Sequence, residues 1–356
     1  MTIDTRLRHR LEGTNTSAAP TTAAIVVLNY NGLHHLPGLF AGLAQQTRRD
    51  FALFIVDNGS RDGSQAAIPQ LAAAFAVPTT LIENTENRGF AAACNQGIAA
   101  AGTTPWLVML NNDTRPDPRW LEQLLATAAD RPDVGMVASK MLFAHDPGRI
   151  NSAGIALDWA GIAWDAQGGA PDDPTETTVR EIFGPCGGAG LYARAMLDEI
   201  GGFDATFFAY LEDVDLAWRA RLAGWRCLYQ PQARVLHAHS ATSGEGSPFK
   251  SYLLGRNKVW LLAKNYPQPW LTLYLPVIVV YYQLAAFYGR LTRGDAALLR
   301  GRWDGLRRLP AMWHARRHIQ RTWRRRQNWA RTVAPLEWPW RVSRRYIHLQ
   351  PKTRSS

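Results

Sequence analysis

With 356 residues, 46% of them apolar, the chain is long enough to bury one large core or two of ordinary size. Its three cysteines, Cys94, Cys186 and Cys227, are widely spaced and form no C-x-x-C pair, which speaks against a disulfide framework or a cysteine zinc site and fits a reducing compartment. The net charge of +11 is unevenly spread: residues 290–356 hold 18 Lys and Arg against Asp295, Asp304 and Glu337, so this tail carries +15 and the rest of the chain −4, as expected of two parts with different partners.

Residues 1–22 place Arg6, Arg8, Arg10 and Glu12 ahead of a Thr/Ser/Ala stretch. They lack the apolar centre of a signal peptide and are expected to be a disordered leader on a cytoplasmic protein. From Ala23 to about Val137, β-branched runs alternate with helical stretches, which predicts an α/β, Rossmann-like fold around a mostly parallel central sheet. The expected strands are 24–28, 51–56, 80–82, 106–110 and 134–137. The first four end in polar residues: Asn29-Tyr30-Asn31, Asp57-Asn58-Gly59-Ser60, Glu83-Asn84 and Asn111-Asn112-Asp113. Ligands of open α/β sheets bind at the carboxyl ends of strands, so these ends predict one site. No G-x-G-x-x-G follows the first strand and no G-x-x-x-x-G-K-[ST] occurs, which removes the usual dinucleotide and P-loop phosphate cradles.

The segment Asn87-Arg88-Gly89-Phe90 opens an alanine-rich helix and can present backbone N–H groups to a phosphate, or serve only as a packing turn. Residues 138–183, rich in Gly, Pro and Asp, predict a long loop or short strands over the site. Gly184-Pro185-Cys186-Gly187-Gly188-Ala189-Gly190 then leads into a strand at 191–193, either a structural turn or a place of close approach to a ligand. Next comes Phe207-Phe208-Ala209-Tyr210-Leu211-Glu212-Asp213-Val214-Asp215, three acids between an aromatic run and a predicted helix. Carboxylates there complement the partial positive charge of a helix N-terminus, or one of them is a general base beside a metal-bound anionic leaving group.

Residues 265–289 contain no charged side chain, and 270–288 are long enough for a bilayer-spanning helix. Farther on, Leu299, Trp303 and Leu306 make a helical apolar stripe beside Arg302, Arg307 and Arg308, the pattern of a membrane-surface helix. The alternative is a buried helix pair closing the core, with a solvated basic tail. Electrostatics alone also permits nucleic acid, which is not the expected partner.

Five blocks in order carry a resemblance: 27–31 (VLNYN), 55–64 (IVDNGSRDGS), 86–90 (ENRGF), 110–114 (LNNDT), and Gly201-Gly202-Phe203-Asp204 with the acidic run and Ala223-Gly224-Trp225. Together they resemble the family 2 inverting glycosyltransferases of the GT-A fold, in particular the bacterial rhamnosyltransferase-like branch that builds cell-surface polysaccharide. The resemblance covers about 23–264, implying a catalytic domain of that extent; the apolar segment and basic amphipathic stretch make 265–356 the expected helical membrane-associating part. It implies transfer of a hexose from a nucleoside-diphosphate sugar, with dTDP-rhamnose a candidate, to a glycan or polyprenyl-diphosphate-linked acceptor.

Carried onto these positions, the resemblance gives Asp57 the pyrimidine base, with Asn29 and Tyr30 lining the same pocket, and sets Arg88 and Gly89 near the diphosphate. Asn112 and Asp113 stand at the D-x-D motif, whose first acid is replaced by Asn111. Asp113 and His237 would hold Mg²⁺ or Mn²⁺, since one carboxylate can suffice when water and phosphate complete the shell. Asp213 would be the catalytic base, Glu212 would position the acceptor or the base, and Asp215 would cap the helix. Because nucleotide sugars are cytoplasmic, a single span would export the basic tail against the positive-inside tendency. A peripheral or re-entrant segment on the cytoplasmic face of the inner membrane, against anionic lipid, satisfies both constraints. A sugar-phosphate nucleotidyltransferase is the competing enzyme class; its phosphate loop after the first strand is not matched by Asn29-Tyr30-Asn31-Gly32. A basic lipid- or nucleic-acid-binding protein on a transferase scaffold is the non-enzymatic alternative.

Overall fold

A computed structural model describes residues 8–11, 21–75, 77–238, 247–293, 296–323 and 329–336. The first strand, β1 (Arg8–Leu11), pairs antiparallel with a later strand. These four residues of the expected leader form a strand, and the rest of it up to residue 20 lies outside the described residues. The α/β core follows: β2 (Ala23–Asn29), α1 (Leu36–Ala44), β3 (Phe51–Asp57), α2 (Ser64–Ala73), β4 (Thr79–Glu83), α3 (Phe90–Ala100) and β5 (Trp106–Asn111). The sequence of β2 explains why it sits at the centre. Its β-branched run is buried on both faces, as expected of a parallel strand covered on each side. Side chains alternate across the sheet, so Ala24 and Val26 enter the core layer with Ala91, Ala93 and Cys94 of α3. Ala23, Ile25 and Val27 enter the layer with Leu36, Leu39 and Leu43 of α1.

The chain continues through β6 (Thr114–Pro116), α4 (Trp120–Ala128), β7 (Val134–Phe143), β8 (Asp146–Ser152), β9 (Ile155–Asp158), β10 (Ala163–Asp165) and β11 (Arg180–Ile182). After these come β12 (Ala189–Ala193), α5 (Arg194–Ile200), α6 (Glu212–Ala223) and β13 (Arg226–His237). The large sheet runs β1-β4-β3-β2-β5-β12-β7-β13-β11, with β6 on β13 and β8 on β7. Strands β2 to β5 are parallel, β12 is antiparallel to β5 and β7, and β13 is parallel to β7. Strand order reverses at β2, so the crevice beyond the ends of β2, β3 and β5 is the topological switch point where such sheets bind ligands. The segment 138–183, which the sequence left between loop and short strands, extends β7 and adds the β8–β11 excursion. It is pinned by fully buried Lys140, whose Nζ meets Asp172 at 2.9 Å and Glu176 at 3.2 Å.

Four α-helices follow among the described residues, α7 (Pro248–Asn265), α8 (Trp270–Arg293), α9 (Ala297–Arg307) and α10 (Leu309–Trp323), before a short strand, β14 (Val333–Ala334), that lies parallel to β9. Helices α7 and α9 cross at glycines. A Cβ on Gly255 would lie 2.3 Å from the Leu298 carbonyl oxygen, and one on Gly301 2.0 Å from that of Tyr252. Trp260 Nε1 donates to the Gly305 carbonyl at 3.1 Å. Helix α10 is tied to α7 by Arg316, which donates to the carbonyls of Ala263 and Tyr266.

Helix α8 is the one described helix long and apolar enough to cross a membrane, yet only 22% of its Trp270–Phe287 window is buried. Ile278, Tyr282 and Ala286 face the protein, whereas Leu273, Val277, Val280, Leu284 and Phe287 are exposed. The α9 stripe of Leu299, Trp303 and Leu306 is exposed as well. The expected buried helix pair therefore fits α8 poorly, while α9 and α10 do close over α7. The basic tail beyond residue 336 lies outside the described residues.

Candidate functional site

The strand ends are knitted by amides. Asn29 Nδ2 donates to Asp57 Oδ2 (2.8 Å) and Ser60 Oγ (3.2 Å), while Asn112 Nδ2 donates to Asn29 Oδ1 (2.8 Å). The other Asp57 oxygen accepts from Ser60 N–H and Gln65 Nε2. Asn58 continues the row, donating to Asn87 Oδ1 and accepting from Asn84 Nδ2 and the Arg88 N–H. Buried polar groups at the end of a parallel sheet need such partners. Their saturation fixes the floor of a cleft of about 680 Å³, within the usual size of a small-molecule site.

Tyr30, Gly89, Asn112, Asp113, Glu212, Asp213 and His237, all singled out in the sequence, line this cleft. Asn29 and Asp57 are fully buried just behind it. The Arg88 side chain is exposed and outside the lining, so the segment faces the cleft through Gly89. That glycine has φ +84°, and a Cβ there would lie 2.6 Å from Phe208; the close approach and the left-handed backbone both require Gly.

At one side of the cleft, His237 at the end of β13 meets Asp113, just past the end of β5, with Nε2 to Oδ1 at 3.2 Å. The opposite ring nitrogen, Nδ1, lies 2.8 Å from Asn151 Oδ1. An amide oxygen accepts, so this contact calls for the proton on Nδ1. The Nε2 lone pair and the carboxylate then face one another, a pairing that needs a proton or a cation between them. No group of three or more His, Cys, Asp or Glu suited to a metal occurs among the described residues. Two converging donors suit a hard divalent ion that keeps water and phosphate oxygens in its shell, and to that extent the residues fit.

Across the cleft, α6 begins at Glu212. Asp213 Oδ2 accepts from the Gly187 N–H (3.0 Å) and Oδ1 from the Val214 N–H (2.8 Å), which gives the glycine-rich turn a part in the site. Burial outweighs these bonds, and the nearby Asp165 adds to it, so the Asp213 pKa is pushed up to about 6. Glu212 is pushed well above the carboxylate range, first by burial and then by the charge on Asp213. Its buried Oε2 has no hydrogen-bond partner among the described residues, so the pair's negative charge resides on Asp213, which holds the N–H bonds, and Glu212 keeps its proton.

Asp215 is not simply a helix cap, as the sequence had implied. It is fully buried and binds Arg219 Nε (2.9 Å), Lys264 Nζ (2.8 Å) and Asn265 Nδ2 (2.7 Å). These partners make it the junction of α6 and α7.

The segment that delivers α6 is strained: Phe208, Tyr210 and Leu211 have φ of 66°, 67° and 67°, a left-handed conformation that costs about 1–3 kcal/mol each for non-glycine residues and collects at functional sites. Ser247, Phe249 and Lys250 of the α7 start complete the cleft wall, with Lys250 Nζ 5.4 Å from the Tyr210 ring centre. These had no role in the sequence reading, which placed Asn58 only among the polar strand ends and Gly187 only in a glycine run open to turn or ligand approach. Asp57-Asn58-Gly59 did carry a turn signal for Asn58, but the approach of α7 had none.

The family model "Glycosyl transferase family 2" matches residues 24–201. Among curated relatives, the N-acetylglucosaminyl-diphospho-decaprenol L-rhamnosyltransferase of Mycobacterium tuberculosis is 29% identical over 260 residues, 66% of this chain and 81% of that protein. The O-antigen biosynthesis protein RfbC of Myxococcus xanthus is 30% identical over 245 residues, 65% of this chain and 19% of that protein. Among solved structures, the mannosyltransferase PcManGT from Pyrobaculum calidifontis, in complex with GDP-Man and Mn²⁺, superposes with a TM-score of 0.53 at 18% identity, covering 86% of this chain and 88% of that one. TarS of S. aureus gives 0.54 at 14% identity, over 84% of this chain and 53% of that one. At these identities the structural likeness bears on the fold, which is GT-A-like.

Proposed function

Because this chain belongs to glycosyl transferase family 2, we propose that it moves a sugar, with inversion, from a nucleoside-diphosphate donor to a hydroxyl of a lipid-linked or glycan acceptor in cell-surface polysaccharide synthesis. The family membership sets aside both the nucleotidyltransferase and the non-enzymatic alternatives. The observation that carries the proposal is the meeting of a half-buried Asp213, held by backbone N–H groups, and an Asp113–His237 pair in one cleft at the switch point of the sheet.

In the proposed reaction, Asp57, Asn29 and Tyr30 receive the nucleoside, and Asn112 with the backbone at Gly89 faces the diphosphate. A divalent Mg²⁺ or Mn²⁺, held by Asp113 and His237 with donor phosphate oxygens, would supply Lewis-acid stabilisation of the charge on the departing nucleoside diphosphate. Asp213 takes the proton of the acceptor hydroxyl as that oxygen attacks the anomeric carbon from the face opposite the leaving group, so the configuration inverts. General-base help of this kind is worth about 10²–10⁴-fold. Protonated Glu212 is a hydrogen-bond donor beside the base and orients the acceptor. The M. tuberculosis relative is named for a decaprenol-diphosphate acceptor and a rhamnosyl group, which supports dTDP-rhamnose and a polyprenyl-diphosphate glycolipid as the pair to try first.

Such an acceptor lies in a membrane. The exposed apolar faces of α8 and α9, bordered by Arg300, Arg307 and Arg308, support peripheral or re-entrant seating of 265–356 on anionic lipid at the cytoplasmic face, where nucleotide sugars are made.

Asp213→Asn tests the assignment: transfer falls by about 10²–10⁴-fold, while calorimetry shows donor binding retained. A variant with wild-type turnover overturns it.

A further inference from the structure

Asn257 lies in the middle of α7, is fully buried, and does not itself line the cleft. Its side-chain amide nonetheless makes an unusual set of contacts. Nδ2 stands 3.0 Å from the carbonyl oxygen of Phe207, 2.9 Å from that of Ala209 and 2.8 Å from that of Tyr210. One NH₂ group thus gathers three carbonyls of the segment that turns through the left-handed residues Phe208, Tyr210 and Leu211. Arg256 adds a guanidinium bond to the Phe207 carbonyl at 2.8 Å. Loss of the amide would take a donor from three carbonyls in the middle of the segment, where the left-handed backbone is costly to hold.

The tethered segment is the physical link between the two sides of the cleft. At its start, the Phe208 carbonyl accepts from the Ala91 N–H and the Phe208 ring covers Gly89, the donor-side turn. At its end, Leu211 caps α6 and its carbonyl accepts from the Asp215 N–H. The direction of the first α6 turn decides whether the Asp213 carboxylate reaches the Gly187 N–H or swings away.

We infer that Asn257 is a positioning residue for the transfer reaction, holding the 207–211 segment in its strained form so that the Asp213 carboxylate is aimed at the acceptor hydroxyl. It acts only through that segment, and the inference rests on the proposed role of Asp213 as base. The requirement is for N–H donors at this place, not for volume. An aspartate of the same shape offers none and faces three carbonyl oxygens with its charge, while an alanine removes the amide from all three and leaves the Phe207 carbonyl to Arg256 and the Ala209 N–H.

The experiment compares full-length Asn257→Ala, Asn257→Asp and Asp213→Asn with the wild type, well below the melting temperature of each. It measures donor affinity by calorimetry and kcat at saturating donor and acceptor. A misaimed base lowers kcat by about 100-fold in both Asn257 variants while donor KM and affinity stay within about twofold. A part played in the fold alone lowers the melting temperature and leaves kcat of the folded protein in place, and wild-type kcat in either Asn257 variant, with Asp213→Asn inactive, overturns the inference and leaves the base assignment standing. Full activity in Asp213→Asn overturns the base assignment and the inference with it. Should the Asn257 variants fail to fold, hydrogen exchange in the wild type decides: protection of residues 206–212 equal to that of the first turn of α6 is expected, and exchange at the rate of an open turn overturns the inference.

Discussion

At the scale of single residues, the cleft holds two carboxyl groups whose surroundings drive them apart. Asp213 takes two backbone N–H bonds and titrates at about 6 because burial raises it from 3.8; Glu212, with an unpartnered oxygen, stays neutral. As the proposed base, Asp213 must be ionised to work, so the transfer rate is expected to fall as pH drops through about 6 and to be level above it, which a pH–rate profile checks. Stability runs the other way. An acid whose folded pKa is raised favours the fold when protonated, so its contribution is fully present below the unfolded value of 3.8 and is lost as pH rises through about 6. The counterpart on the donor side is Asp113. Its removal in Asp113→Ala leaves His237 as the lone donor, and cation-dependent donor affinity is expected to drop by about tenfold or more; calorimetry with and without Mn²⁺ reads this, and an unchanged affinity counts against the metal assignment.

At the scale of elements, the helices after the sheet divide their surfaces between protein and surroundings. Helix α8 turns Ile278, Tyr282 and Ala286 inward and Leu273, Val280 and Phe287 outward. Burial of one such outward side chain is worth about 1.5–3 kcal/mol. Wild-type protein is therefore expected to co-sediment with vesicles containing anionic lipid, more weakly as salt is raised, and Leu273→Ser/Val280→Ser/Phe287→Ser is expected to stay in the supernatant. Equal sedimentation of the triple variant would show that α8 is not the seat. Three central parallel strands were legible because each is an apolar run ending in Asn or Asp, and 23–29, 51–57 and 106–111 begin and end within a residue or two of expectation, whereas β7 runs six residues past the expected 134–137. The β8–β11 excursion was not, because its short strands are held by Lys140 reaching Asp172 and Glu176 across more than thirty residues, a pairing with no local pattern.

At the scale of the whole molecule, the same contrast separates the visible from the hidden parts of the site. Asp113, Asp213 and Tyr30 stand in compact blocks beside strand ends or a helix start, and their chemistry can be read from neighbours in the chain. Asn257 and the ion-pair role of Asp215 depend on partners about fifty residues away, and only the folded chain brings these together. The glycine crossing of α7 and α9 has a practical corollary. Gly255 and Gly301 let the two backbones touch, and Arg316 of α10 holds the last turn of α7, so the helices after the sheet are also the scaffold behind the cleft. Cutting the chain after residue 264 would expose the bare flank of α7. A water-soluble form of this enzyme is better sought by making the outer face of α8 polar while keeping every helix in place.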